Sequence, residues 1–324
     1  MPEAPVLALD VGGTKLAAGV VSAEGTLLSS FRSAETPLAA GPEAAISRLV
    51  DLGEKALAEA GHPEIAAVGV GCGGPLDPRT GVILGPPGLP GWDEVPLGRL
   101  VAEHFGPPTY VENDATAAAL GEYRWGGWNV ENLVYLTVST GFGGGVVADG
   151  KLFRGAADQG GELGHVVVDW QGRQCGCGAR GCAEAYVSGT SIARRAAEAL
   201  LDRPDSSLAG VGTLTAKDVF EHARGGDPVA RAIWDETTAI LGRMVAVIVN
   251  VWEPDLVVLG GGVTRAGGPL LEPVRETALR QAMPPAAKAC DVVLSHHGDT
   301  VGVLGAAAIA YDRLEADDAN GVRA

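Results

Sequence analysis

Four side chains that bind soft or borderline metals, His165, Cys175, Cys177 and Cys182, fall within eighteen residues, and two carboxylates, Glu162 and Glu184, bracket them. Zinc takes thiolate and neutral imidazole at roughly 2.0–2.3 Å in a tetrahedral set, and one His with three Cys closes that shell. A closed shell has no place for an activated water, so a metal here is expected to be structural. The cysteines follow a C-x-C-x4-C spacing through Gly176, Gly178 and Gly181, residues that let the backbone turn tightly around an ion. Glu162 and Glu184 are then expected to be free beside the knot, able to hydrogen-bond a polar ligand. The competing reading is a cluster of reactive or unpaired thiols. The gathering of three of the chain's five cysteines in this one stretch speaks against it.

Asn113 and Asp114 are the second chemical candidates. TYVEND (109–114) reads as a strand that leads into an alanine-rich helix, ATAAALGEYRWG. Asn or Asp at such a junction is what a helix N-cap looks like. Only one of the pair is needed as a cap, and Glu112 adds a third polar group at the strand end. A carboxylate facing a cleft there could accept the proton of an alcohol that attacks a phosphoryl group. Cap and base both stay open from these residues alone.

Two glycine turns come next. In DVGGTK (10–15), Gly12 and Gly13 allow backbone amides to approach an anion, Thr14 adds a hydroxyl donor, and Lys15 supplies charge or a surface cap. STGFGGG (139–145) offers Ser139, Thr140 and the amides of Gly141, Gly143 and Gly144. Either turn alone can be merely structural. Two in corresponding places of two halves fit a polyphosphate, which needs donors from both sides. Neither is a Walker loop, because the G-x4-G-K-[ST] spacing is absent. Counting G-x-G-x-x-G from Gly260 puts Arg265 where the last glycine should fall, so GGGVTR is no dinucleotide fingerprint.

The elements that must position these groups alternate in type. Residues 6–21 read as strand, turn, strand, and TLLSSFRSAE (26–35) continues as a third strand. Residues 42–60 carry a helical apolar face with Pro42 in the first turn, and 66–75 form a buried strand ending in glycines. The round then repeats: 133–150 echoes 6–21, 228–252 is a long apolar helix, 254–263 is a strand ending in glycines, and 301–314 is a final helix. The polar segment 315–324 is expected to fray. An α/β fold of two duplicated lobes with a ligand cleft between them follows.

Composition sets the bounds. The chain has 324 residues, 46% of them hydrophobic, enough for two lobes with substantial cores. Its formal net charge of −16, with no basic stripe, argues against nucleic-acid and anionic-membrane partners. Cys72 and Cys290 lie far apart and suggest no secreted disulfide framework. The N-terminal MPEAPVLALD lacks the features of a signal peptide, and no apolar run approaches a membrane span, so a cytoplasmic location is expected.

Together DVGGTK, VEND, STGFGGG, GELGH, CGCGARGC and the following AEA resemble, in order, the motifs of the ROK family of bacterial sugar kinases and repressors, within the actin-like ATPase superfamily. The resemblance runs from Val6 to about Leu314. It implies a ribonuclease H-like duplicated fold, with 1–113 plus 301–324 as the smaller lobe and 114–300 as the larger lobe bearing a zinc knot. It implies Asp10 near a magnesium ion, and the turns at Gly12, Gly13, Thr14 and Lys15 and at Thr140, Gly141, Gly143 and Gly144 on the phosphates of ATP. Gly260, Gly261 and Gly262 would lie against the adenosine. Asp114 would be the base for the sugar hydroxyl, and Gly74, Asn113, Glu162, His165 and Glu184 would bind the sugar. His165 would serve twice, one ring nitrogen on structural zinc and the other toward the ligand.

Two positions depart from the family pattern. Glucokinase-like members often carry Asn before LPGW, where this chain has Gly88, and N-acetylmannosamine kinases carry Arg after the paired glycines, where it has Pro75. The reading that results is an ATP-dependent hexose kinase acting at the 6-hydroxyl, with glucose the first candidate and N-acetylmannosamine, fructose or another hexose the alternatives. A homodimer or homotetramer is expected from the resemblance. The competing class is a sugar-sensing repressor of the same family, which would place a helix-turn-helix before a first strand that here begins by Val6.

Overall fold

The computed structural model describes residues 4–319. Its first part contains β1 (Val6–Val11), β2 (Lys15–Val21), β3 (Arg32–Glu35), α1 (Gly41–Glu59), β4 (Val68–Cys72), β5 (Leu76–Asp77), β6 (Val82–Leu84), β7 (Asp93–Val95), α2 (Leu97–Phe105) and β8 (Thr109–Asn113). There follow α3 (Asp114–Trp125), β9 (Leu133–Val138), β10 (Phe142–Ala148), β11 (Lys151–Leu152), α4 (Glu184–Val187), α5 (Gly189–Ala199), α6 (Ala216–Arg224) and α7 (Pro228–Trp252). The chain closes with β12 (Leu256–Gly260), α8 (Gly268–Gln281), α9 (Pro284–Ala289), β13 (Asp291–Leu294) and α10 (Val301–Ala319).

The duplication suggested by the glycine turns is visible in the sheets. One runs β3-β2-β1-β4-β8, the other β11-β10-β9-β12-β13. Each begins with three antiparallel strands and ends with two parallel ones, so the β1–β2 hairpin and the β9–β10 hairpin occupy the same place. Helices α1 and α2 cover a core of Leu7, Leu9, Leu49, Val70 and Trp92 on the first sheet, whereas α5 to α8 cover a larger core on the second. Packed against both sheets is the pair α3 and α10. That pair meets backbone to backbone: a Cβ added at Gly121 would lie 2.9 Å from the Gly305 nitrogen.

Local chemistry sets the boundaries. The Asp227 carboxylate accepts from the amides of Val229 and Ala230 at 3.0 and 2.9 Å, and Pro228 opens α7, which then runs without a break to Trp252. Two expectations need correction. The third strand covers only Arg32–Glu35, because Ser29 Oγ takes the Val20 amide at 3.1 Å in place of a ladder partner; upstream of this interruption only an isolated bridge, Val21 with Leu27, remains. The residues just after Leu314 do not fray. Glu315 pairs with Arg124 at 2.6 Å and Asp317 accepts the Tyr110 hydroxyl at 2.7 Å, which docks the last turns of α10 as far as Ala319. The rest of that polar segment, 320–324, lies outside the described residues.

Candidate active site

Strand register delivers the first carboxylate. Asp10 on β1 stands beside Gly71 on β4, which stands beside Glu112 on β8. A Cβ on Gly71 would sit 3.5 Å from Asp10 Oδ1 and 4.0 Å from Asp114 Cβ, so the two aspartates flank its bare face. Burial, then the charge of Asp114, pushes the Asp10 carboxyl up to about 7, while Lys15 works the other way. Asp10 also meets the first turn of α10, where any side chain on Gly302 would overlap its carboxylate. That helix N-terminus favours an anion.

At the junction of β8 and α3 the capping is done by one of the two candidates. Asn113 Oδ1 accepts from Ala115 and Thr116 at 3.0 and 3.1 Å, so it is the N-cap of α3. Asp114 is the first helical residue, with one oxygen taking the Ala115 amide at 2.8 Å. Its carboxyl is raised above the ordinary range by burial, against the pull of that amide. Glu112 turns away, to Arg154 at 3.1 Å.

Gly74, Asn113 and Glu162 come together: a Cβ on Gly74 would be 3.2 Å from Asn113 Nδ2 and 3.6 Å from Glu162 Oε1. Since Asn113 uses its oxygen as the cap, its amide nitrogen is what remains to face a ligand. His165 Nε2 lies 3.7 Å from Glu162 Oε2, and its Nδ1 lies 3.7 Å from Cys175 Sγ. One ring face therefore meets the carboxylate and the other the cysteines. The ligand atoms of His165, Cys175, Cys177 and Cys182 all lie within 4.8 Å of one another. Cys177 and Cys182 are 3.7 Å apart between sulfurs, and a tetrahedron with zinc–sulfur arms of ~2.3 Å has edges of about 3.8 Å. The donor set fits a zinc ion.

Glu184 departs from expectation. Its Oε2 accepts the Phe142 amide at 3.1 Å and its Oε1 lies 3.7 Å from Cys175 Sγ, so the carboxylate ties the knot to the second glycine turn and is only partly free. The turn itself is shorter than its glycines suggested. Ser139, Thr140 and Gly141 form it, whereas Gly143 and Gly144 are inside β10. Ser139 and Thr140 are held by Gly189 and by the Thr190 hydroxyl at the start of α5, at 2.7 and 2.8 Å. Gly261, with φ +91°, packs where a Cβ would be 2.6 Å from the Val138 carbonyl oxygen, and this sets Gly260–Gly262 beside Ser139. In the first turn Gly12 donates to the Lys15 carbonyl at 2.9 Å, and Thr36 accepts no role from sequence yet braces the turn, its hydroxyl on the Gly12 carbonyl at 2.7 Å. Gly13 packs on the backbone of Gly88, so the 85–92 loop, anchored by buried Leu89 and Trp92, lies over that turn.

A sequence model of the ROK family matches residues 6–313. The chain belongs to the ROK family. Among ROK relatives, it is 38% identical to a glucokinase of Thermotoga maritima over 319 residues, covering 97% of this chain and 99% of the relative. It is 37% identical to an N-acetylmannosamine kinase of Escherichia coli over 304 residues, covering 94% and 97%. The crystal structure of a ROK family glucokinase from Streptomyces griseus in complex with glucose and AMPPNP superposes with a TM-score of 0.83 at 34% identity, covering 95% of this chain and 99% of that one. The fold is thus the actin-like ATPase fold of the ROK sugar kinases.

Proposed function

We propose that the protein is an ATP-dependent hexose kinase that transfers the γ-phosphoryl group of ATP to the 6-hydroxyl of glucose. The observation that carries this reading is Asp114: a half-buried carboxylate relieved of capping duty by Asn113, opposite Asp10, beside a cluster of polar groups suited to a sugar. Asp114 takes the proton of the attacking hydroxyl, and burial raises its basicity toward that task. Asn113 Nδ2, Glu162, His165, Glu184 and the backbone at Gly74 orient the ring. Thr140 and Gly141, the residues at Gly12–Lys15 and the segment Gly260–Gly262 bind the nucleotide, with 1–113 plus 301–324 and 114–300 as the two lobes around it.

Asp10 would hold a magnesium ion. A half-buried carboxyl pushed up to about 7 and facing a second carboxylate is a group whose ionised form a divalent cation would favour. When bound, that ion supplies charge neutralisation on the transferred phosphoryl group. His165, Cys175, Cys177 and Cys182 would hold zinc in a closed shell, whose part is to fix the two ends of the segment between Glu162 and Glu184. No helix among the described residues is long and apolar enough to cross a membrane. Identity alone does not separate the two sugars, since glucokinases stand at 36–38% and an N-acetylmannosamine kinase at 37%; glucose is preferred because Pro75 stands where the latter kinases carry Arg. A coupled assay of ADP release with a panel of hexoses tests this. Glucose should give the highest kcat/KM, a different preferred hexose would overturn the substrate, and no hexose-dependent turnover would overturn the activity.

A further inference from the structure

Arg154 has no part in the reading above, yet its guanidinium joins three elements. It follows β11, and its side chain is largely buried, only 21% exposed. Nε donates to Glu112 Oε2 at 3.1 Å, and Nη2 donates to Asp312 Oδ2 of α10 at 3.0 Å. Glu112 is itself 1% exposed, and its other oxygen accepts the Asn113 amide at 3.1 Å. One side chain therefore grips the end of β8, at the residue before the cap and two before Asp114. Downstream of Arg154 the chain leads directly to Glu162. On the way the Gln159 side chain donates to the Leu76 carbonyl at 2.5 Å, and Asp158 lies 3.5 Å from Arg79. Leu76 comes two residues after Gly74. The segment 154–162 is thus fastened at its root to the strand that ends in Asn113 and near its far end to the segment that bears Gly74.

We propose that Arg154 is a positioning residue for sugar phosphorylation, setting the separation between the Asn113–Asp114 end of β8 and the Glu162 segment. The proposal rests on the hexose kinase reading. The planar fork of Arg fixes two directions at once, toward Glu112 and toward Asp312, which the single ammonium of Lys cannot do. A merely structural clip makes a different forecast. Replacing Arg154 by Met leaves the Glu112 carboxylate buried without its cation, which destabilises the fold whatever the pair does for catalysis. Adding Glu112→Gln removes that burden and leaves the spacing uncontrolled.

The experiment compares wild type, Arg154→Lys, Arg154→Met and the Glu112→Gln/Arg154→Met pair by thermal unfolding and by steady-state kinetics with glucose and ATP. In the double variant Tm should return toward the wild-type value. KM for glucose should stay raised about 10-fold, a fraction of the 10²-fold that misplaced positioning groups can cost, with KM for ATP changed less than twofold. Arg154→Lys should keep a near wild-type Tm and still show a raised glucose KM, so the test does not depend on the Met variants folding. Wild-type glucose KM in the Lys and double variants would reduce Arg154 to a structural clip, and equal rises in both KM values would mean a general disturbance; either overturns the proposal alone. A wild-type enzyme that phosphorylates no hexose overturns the kinase reading and this proposal with it.

Discussion

Gly143 gives the sharpest test of how the second glycine turn works. The sequence suggested an amide left bare for a phosphate, in which case a side chain there would chiefly push the nucleotide away. The structure gives the glycine another reason. A Cβ at 143 would stand 3.2 Å from Ala115 Cβ and 3.6 Å from Thr137 Cγ2, inside β10 and against the first turn of α3. Carbon atoms settle at about 3.5–4.0 Å, so Gly143→Ala asks for a shift of a few tenths of an ångström. Val adds carbons about 1.5 Å farther out, and with neighbours on two sides the displacement of α3 approaches about 1 Å. Asp114 sits next to Ala115 on that turn. Since a 1 Å misplacement of a reacting group can cost about 10²-fold in rate, Gly143→Val should lower kcat by roughly that factor, while Gly143→Ala stays within about threefold. The assay is steady-state kinetics with glucose and ATP varied separately, with circular dichroism to verify folding. A Val variant with normal kcat and a raised KM for ATP alone would refute the steric argument and restore the bare-amide one.

Three further expectations follow from the same geometry. Asp114→Asn should cut turnover about 10²–10⁴-fold with glucose binding and helix stability retained, because Asn113 already caps α3; near-normal turnover would remove the base role. Asp10 has a folded-state pKa raised from 3.8 to about 7. In the ligand-free protein it therefore holds a proton that the unfolded chain has lost, so this group's contribution makes stability fall as pH rises from about 4 to 7 and level off above. Urea unfolding across that range should show a shallower fall in Asp10→Asn than in wild type, the remainder coming from Glu112, Asp114 and Glu162, whose carboxyls burial also raises; an unchanged slope would mean that Asp10 is ordinary. Purified protein should contain close to one zinc per chain by elemental analysis, lost on acidification, and Cys177→Ser should weaken glucose binding and stability more than ATP binding. Full activity with no bound metal would contradict the zinc reading.

The parts legible in the sequence were those whose signal is local. Helix α7 was readable to the residue because Pro228 opens it and an uninterrupted apolar pattern sustains it to Trp252. The knot was readable because its ligands lie within one short segment. Strands β5, β6 and β7 were not, since segments of two or three residues have no period to detect; they pair as a small separate sheet, with the 85–92 loop between β6 and β7. Arg154 and Glu112 were missed as a pair because they lie 42 positions apart and meet only once the β8 end and the β11 segment are folded together. Glu184 looked free for a related reason. Nothing in its neighbourhood in sequence names the Phe142 amide as its partner.

The contact between Gly121 and Gly305 reaches beyond the two helices that make it. Two helices that meet through bare backbone come closer than side chains would allow, and a Cβ at Gly305 would lie 2.6 Å from the Ala117 backbone, so the two glycines set the helix spacing. Asp114 opens one of these helices, and the first turn of the other abuts Asp10 through Gly302. The distance between α3 and α10 therefore bears on the distance between Asp114 and Asp10. Side chains added at Gly121 and Gly305 would therefore be felt at a distance, by way of the spacing between two aspartates that neither glycine touches.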